Sequence, residues 1–519
     1  MDKLPHELLD QIISIAWKPP APTKFHKRCK CARCVPPRKL APYTVLSRTW
    51  RAVLERVIWK ELRVNKFSEL KTYTASARSI PGEHGVSRND EDAYRRERVR
   101  YIRHLTWIWW PKWIPGVEAS EVPEIYNGQF QAKMRELFTL LHSWGGIRSD
   151  IGMQLSLDVR SSEFIPLPSD IIDELETNVH MLATLDARGL WERAQMSYTP
   201  RLSAEVLQDL PVLSYITAFG ITEPDENDAS PSVFMGLLNR FLNVKRVYGG
   251  EGRVIPRGAL RALADSRNEI AEYLPLVPAS IETFEYQLDY ERELAFNPAH
   301  NAANYLNAHC LDGVSIGFRG LSMRLRKLHL DHVRINNSVF WPDAAEGVDT
   351  EALYWPVLEE LLIKEVPPYT ADGEWILEND PDKWYNNFDI SLDDDPDQDW
   401  QYEGGYYGPR GPIRADEANK MYTAMGLAAQ RMPRLRILDF SFRAENNEGG
   451  PDRWLRFEKD VGTGKAKLEI VSDYGMQVEE GFLDAWRVRE AGEEKVREMR
   501  EGGLGWQKVY FETWPPGSA

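Results

Sequence analysis

RLRKLHLDHVRI, residues 324–335, sets Leu325, Leu328 and Leu330 in an apolar-x-x-apolar-x-apolar step. Leu328 and Leu330 fall on one side of an extended chain, and Leu325 anchors the turn that leads into it. Working outward, the same step occurs at Ile102, Leu105 and Trp107, at Leu213, Ile216 and Ala218, and at Ile281, Phe284 and Tyr286. It returns at Leu358, Leu361 and Ile363 and, within MPRLRILDFSF, at Leu435, Leu438 and Phe440. Between these segments lie helical stretches, such as VFMGLLNRFL before Asn243 and ANKMYTAMGLAAQRM before Pro433. Strand alternating with helix predicts an α/β fold with parallel strands.

The spacing is uneven: Ile281 to Leu325 is 44 residues, Leu325 to Leu358 is 33, and Leu358 to Leu435 is 77. Regular leucine-rich repeats run at about 20 to 29 residues, so these are long, degenerate units with insertions on one face. Two architectures fit. One is an irregular leucine-rich-repeat solenoid over residues 65–519, a curved stack; the other is an ordinary α/β domain whose parallel strands share the step. The stack is the preferred expectation. The longest gap holds SLDDDPDQDW and YEGGYYGPRGP between about Thr370 and Arg414, which reads as a long acidic and aromatic loop. Trp384, Tyr385, Trp400, Tyr402, Tyr406 and Tyr407 give it surface either to grip a partner or to fold back on the scaffold.

The front of the chain has a different period. In LPHELLDQIISIAW, Leu4, Leu8 and Ile12 lie along one side of a helix, with Leu9, Ile13 and Trp17 widening the stripe. Pro5 suits the first helical turn and Glu7 the positive end of the helix dipole. A second segment from Leu40 repeats apolar residues at Leu46, Trp50, Val53, Leu54, Val57, Ile58 and Leu62. Short helices with stripes this broad leave apolar surface for a partner or for the following domain.

LPHELLDQII followed by LAPYTVLSRTWRAVLERVIWKEL resembles the F-box, in the variant common in filamentous fungi, over residues 1–64. The resemblance implies an all-α module that docks on a Skp-type adaptor, and through it on a cullin and RING ligase. The chain would then be the substrate-receptor subunit of an SCF-type ubiquitin ligase, or an adaptor-bound scaffold outside a full ligase. It also assigns Leu4, Pro5, Leu8, Leu9, Ile12, Leu40, Pro42, Val45, Leu46, Trp50, Ile58 and Trp59 to the adaptor interface. RLRKLHLDHVRI and MPRLRILDFSF are similar to the repeat units that follow F-boxes in many fungal receptors, whose repeats hold a protein substrate. No catalytic role and no cofactor are implied.

The sequence departs from that pattern by inserting residues 18–39. KFHKRCKCARCVPP offers His26, Cys29, Cys31 and Cys34, a set chemically sufficient for tetrahedral zinc. Against it, the Cys-x-Cys step is tighter than the usual knuckle, and no second pair follows. The alternative is a basic loop around those cysteines.

Composition narrows the partners. Acidic residues exceed basic ones, 79 to 64, and a net charge of -15 repels nucleic acid and anionic lipid. Four cysteines cannot form a disulfide scaffold, which suits a reducing compartment, cytoplasm or nucleus. The first residues lack a secretory pattern, and no run of about 18 apolar residues is present to span a bilayer. The Asn336-Asn-Ser sequon is therefore uninformative.

Enzyme motifs are incomplete. Gly313-Val-Ser315-Ile-Gly317 matches a hydrolase elbow, but a helical-looking NYLNAHCLD precedes it where a strand is required. Asp393, Asp395, Asp397 and Asp399 imitate a calcium loop, yet Gln398 and Gly404 stand where that loop needs Gly and Glu. Gly462-Thr-Gly464-Lys465 lacks the phosphate-loop spacing and reads as a turn between two strands.

Overall fold

The computed structural model describes residues 55–65, 67–74, 96–111, 121–148, 151–159, 200–221, 229–251, 260–288, 304–379, 410–442, 454–471, 477–502 and 506–515. Their core is a twelve-stranded sheet. Nine of its strands run parallel: β1 (Glu61–Val64), β2 (His104–Trp109), β3 (Met153–Val159), β4 (Ile216–Ile221), β5 (Arg246–Glu251), β6 (Thr283–Leu288), β7 (Lys327–Asp331), β8 (Glu360–Val366) and β11 (Ile437–Phe442). A two-stranded antiparallel ribbon, β9 (Leu377–Asn379) with β10 (Arg410–Ile413), stands apart from them. The sheet then ends in an antiparallel meander of β12 (Trp454–Lys459), β13 (Ala466–Val471) and β14 (Trp506–Phe511).

Strand order follows chain order without a reversal. A sheet wound this way has no switch point of the kind that opens a crevice in doubly wound folds. Crossovers of one hand then collect the helices on one face. Those helices are α1 (Phe67–Thr74), α2 (Val122–Ser143), α3 (Ala204–Asp209), α4 (Pro231–Leu238), α5 (Leu260–Tyr273), α6 (Gly313–Ser322), α7 (Ala415–Gln430), α8 (Glu480–Ala485) and α9 (Glu493–Gly502).

The apolar steps explain the covered face. Register aligns Leu62, Leu105, Leu155, Phe219, Val247, Phe284, Leu328, Leu361, Leu438, Phe457, Leu468 and Val509 in one row across all twelve strands. All are buried except Leu62, which is partly so. Burying each such side chain is worth about 1.5–3 kcal/mol. Helix rings close over the rows: Phe130 meets Trp107, Phe234 meets Phe219, Phe318 meets Phe284, and Tyr422 meets Phe440 edge-on. In α4, all eight residues are buried, as an apolar sequence on every side of the helix requires.

Four sequence expectations change, and the first is Leu62, which was expected on the helical stripe from Leu40 and lies in β1 instead, paired with Leu105. The β4 step begins three residues later than Leu213, Ile216 and Ala218 indicate. Phe219 pairs with Leu155 and Val247, so Ile216, Phe219 and Ile221 form the strand's triad, while Leu213 bridges to Phe241. The stretch is apolar in both frames, and only the neighbouring strands choose between them. The segment from Thr370 to Arg414 is not wholly loop, because its ends pair as β9 and β10 and bury Ile376 and Ile413. NYLNAHCLD is not helical across residues 304–312; Asn307 ties its turn by accepting amides from His309 and Leu311.

No described helix is long and apolar enough to cross a membrane.

Candidate functional site

Alternation along a strand sends the residues between the core rows to the opposite face of the sheet. That open face carries His104 and Thr106, then Gln154, Ser156 and Asp158, then Ala218 and Gly220, then Arg246 and Tyr248. Beyond these lie Thr283 and Glu285, Lys327 and His329, Glu360, Leu362 and Lys364, Asp439, Arg456, Glu469 and Lys508. Most of these side chains are half-buried, and the described helices pack on the other face.

The two ends of this face are held differently. From β2 to β5 the cohesion is a neutral hydrogen-bond cluster. His104 Nε2 lies 2.7 Å from Ser156 Oγ, and 3.4 Å from both Thr106 Oγ1 and Gln154 Nε2. The Tyr248 hydroxyl is hydrogen-bonded to Ser156 Oγ and accepts from Gln154 Nε2. To reach β3 from β5, the phenol crosses β4 directly above Gly220, where a Cβ would sit 2.3 Å from the ring. Burial lowers the His104 imidazole from its ordinary value, Glu61 opposes this, and Arg63 adds to it. Burial likewise raises the Tyr248 phenol, against hydrogen bonds from Ser156 and Gln154. Both effects keep the cluster uncharged. Beside it, Arg63 donates to buried Asp158 at 3.0 Å.

From β5 onward the face and its lower rim carry charges of alternating sign. Along the rim, Lys245 pairs with Glu282 at 2.9 Å and Arg326 with Glu359 at 2.9 Å. On the face, Lys327 pairs with Glu360 at 2.7 Å, Lys364 with Asp439 at 2.5 Å and Lys508 with Glu469 at 3.0 Å; Lys467 also holds Glu469.

Behind the sheet, buried and half-buried arginines clamp one unit to its neighbour. Arg324 donates to the carbonyls of Val277 and Pro278, and Arg148 to those of Val99 and Gly152. Burial lowers Arg148 to about 10. Arg267 donates to Asp312 at 2.8 Å, and both Arg267 and Arg334 stack on the Tyr305 ring. Sequence reasoning missed these arginines, because nothing local distinguishes a buried guanidinium from a surface one.

Of the residues assigned to an adaptor interface, Ile58 and Trp59 are described. Both are half-buried in the helical stretch 55–60; Trp59 packs on the core, with the Arg98 guanidinium 5.3 Å from its ring centre. Arg98 also pairs with buried Glu55 at 2.9 Å. The other adaptor residues lie outside the described residues, as do His26, Cys29, Cys31 and Cys34, the aspartates from Asp393 to Asp399, and the loop aromatics from Trp384 to Tyr407. Ser315 is fully buried in the first turn of α6; its hydroxyl donates to Asp312 at 2.5 Å and accepts from the Asn336 amide at 3.0 Å. Gly462 to Lys465 turns between β12 and β13, with Gly464 at φ +73°.

The chain matches none of the models of known protein families, and no curated protein matches it.

Proposed function

We propose that the chain is a substrate-receptor subunit of an SCF-type ubiquitin ligase. In this reading the F-box, whose expected extent of residues 1–64 runs into β1 over its last four residues, binds a Skp-type adaptor, and the sheet, a degenerate leucine-rich-repeat solenoid, offers its open face to a protein substrate. The observation that carries it is the junction: the helical stretch 55–60, the end of the F-box-like segment, passes straight into β1 at Glu61. In this reading the last helical residues of the F-box join the sheet without a linker, and the Glu55–Arg98 pair holds that joint. Strand order without reversal favours a solenoid over a doubly wound domain.

A receptor of this kind forms no covalent bond. It raises the effective concentration of a substrate lysine near the charged enzyme brought by cullin and RING subunits. Co-expression with a Skp-type adaptor tests the reading: the intact chain is expected to co-purify with the adaptor. Leu8→Asp and Trp50→Asp should each abolish the complex while leaving the melting temperature of the sheet in place. An intact chain that never retains the adaptor ends the proposal.

One contact favours a hydrolytic reading, since His104 Nε2 and Ser156 Oγ at 2.7 Å have the spacing of a base and its nucleophile. Ser156 is fully buried beneath Tyr248, which leaves no approach for an acyl group. Fluorophosphonate treatment is expected to leave Ser156 and Ser315 unlabelled; stoichiometric labelling of either would favour the hydrolase.

A further inference from the structure

From β2 to β14 the open face pairs off nearly all of its charge. The carboxylates Asp158, Glu360, Asp439, Glu458 and Glu469 each hold an arginine or a lysine, and Asp331 lies 3.1 Å from the His332 imidazole. Two ions break the pattern, one of each sign. Arg246 on β5 and Glu285 on β6 are both exposed, and among the described residues neither side chain has a hydrogen bond or an ion pair, with the other or with any third group.

Register explains why they miss each other. Arg246 stands opposite Thr283 and Glu285 opposite Tyr248, so the two are diagonal neighbours across one strand spacing and two residues, about 8 Å apart at the backbone. The Tyr248 ring, rooted beside Glu285, is turned the other way, over Gly220 toward Ser156 on β3. Both charges act on that phenol, in opposite directions. On the same row, past His329, the half-buried Leu362 adds an apolar side chain two strands beyond Glu285.

Aromatic and aliphatic side chains with charges beside them are the make-up of a protein contact, where opposite charges set register and exclude wrong partners. An anionic surface, nucleic acid or lipid, would satisfy Arg246 alone and be repelled by Glu285 and by the net charge of -15. A protein segment can satisfy both. Its two charges would stand two residues apart in an extended chain or one turn apart on a helix. We propose that Arg246 and Glu285 form a charge clamp on the open face that recognises a segment of the substrate protein, with a lysine or arginine against Glu285 and an aspartate or glutamate against Arg246. This rests on the part of the receptor reading that gives the open face to a protein substrate.

The test uses the full chain and a library of random peptides displayed on phage. The library is first depleted on the double variant Arg246→Gln with Glu285→Gln, then selected on the unmodified chain. Both side chains are exposed, so the double variant is expected to keep the parent's melting temperature. Peptides that remain should share a basic and an acidic residue at one of the two spacings. By fluorescence anisotropy at low salt, changing the basic residue of such a peptide to glutamine should weaken binding to the unmodified chain about fivefold and leave binding to Glu285→Gln unchanged. The acidic residue should behave the same way toward Arg246→Gln. A depleted library that yields no binder, peptides without the paired charges, or a fivefold loss that persists in Glu285→Gln would each overturn the proposal. Co-purification with a Skp-type adaptor separates the two possible failures. Adaptor retained without the charged motif removes the clamp alone, and the motif without the adaptor removes the ubiquitin-ligase reading alone.

Discussion

The two ends of the open face reach similar order by opposite means. From β2 to β5, neutral donors and acceptors are sunk below the surface and satisfy one another, with Ser156 fully buried at the centre. From β7 to β14, charged side chains lie along the surface, with Lys327 43% and Arg456 45% exposed. A buried polar group that loses its partner bears the whole cost of its desolvation, whereas an exposed ion that loses one turns to water. The first end should therefore be brittle and the second tolerant.

The strongest way to break the comparison is at Gly250, on the open side of β5. A Cβ there would stand 1.8 Å from the backbone carbonyl oxygen of Gln287, so β5 and β6 cannot keep their register around it. Gly250→Ala is expected to lose about 4 kcal/mol or more, read as a fall in the denaturant midpoint or as insoluble protein. A variant of wild-type stability would mean that the pairing of β5 with β6 is not what supports the Tyr248 end.

Next in size is Ser156→Ala. It removes the hydroxyl shared by His104 Nε2 and the Tyr248 phenol, and the expected loss is about 1–3 kcal/mol by chemical denaturation. A loss below about 0.5 kcal/mol would put this end in the same tolerant class as the other.

The part legible in the sequence was the part written in apolar side chains. Leu325, Leu328 and Leu330 mark β7 wherever it packs, because only a strand puts the last two on one face. β3 went unread because Gly152 occupies the anchor position, with Thr217 filling the space a side chain would take. β5 was missed because Gly249, at φ +158° and against Ile221 and Phe234, stands third in its step. The candidate site was not legible at all. His104, Ser156 and Tyr248 are 52 and 92 residues apart along the chain, and only the register of three strands, together with the bare backbone at Gly220, brings them together.

His104 offers a smaller effect, read through pH. Its folded value lies below its unfolded one, so near neutrality the unfolded chain binds more protons at this site. The stability it contributes is present in full above about pH 6.5 and is lost as the pH falls through the lowered folded value. Denaturant midpoints of the wild type and His104→Gln, compared between pH 8 and pH 5, should fall more steeply for the wild type. Parallel curves would show that the imidazole is not held neutral by its surroundings.

The smallest effect belongs to the charged end. Lys327 and Glu360 are register neighbours on β7 and β8, 2.7 Å apart, with side chains 43% and 23% exposed. Water and salt reach both, so their Coulomb attraction is offset by the entropy of holding two long side chains in one geometry. A double-mutant cycle with Lys327→Ala and Glu360→Ala should give a coupling of about 0.2–1 kcal/mol at low salt that fades toward zero near 1 M. The same cycle on Ser156 and Tyr248, with alanine and phenylalanine, should give a larger coupling that salt leaves alone, because neither partner is charged. If the Lys327–Glu360 coupling proved the larger and resisted salt, the alternating ladder would be a structural element of the sheet in its own right.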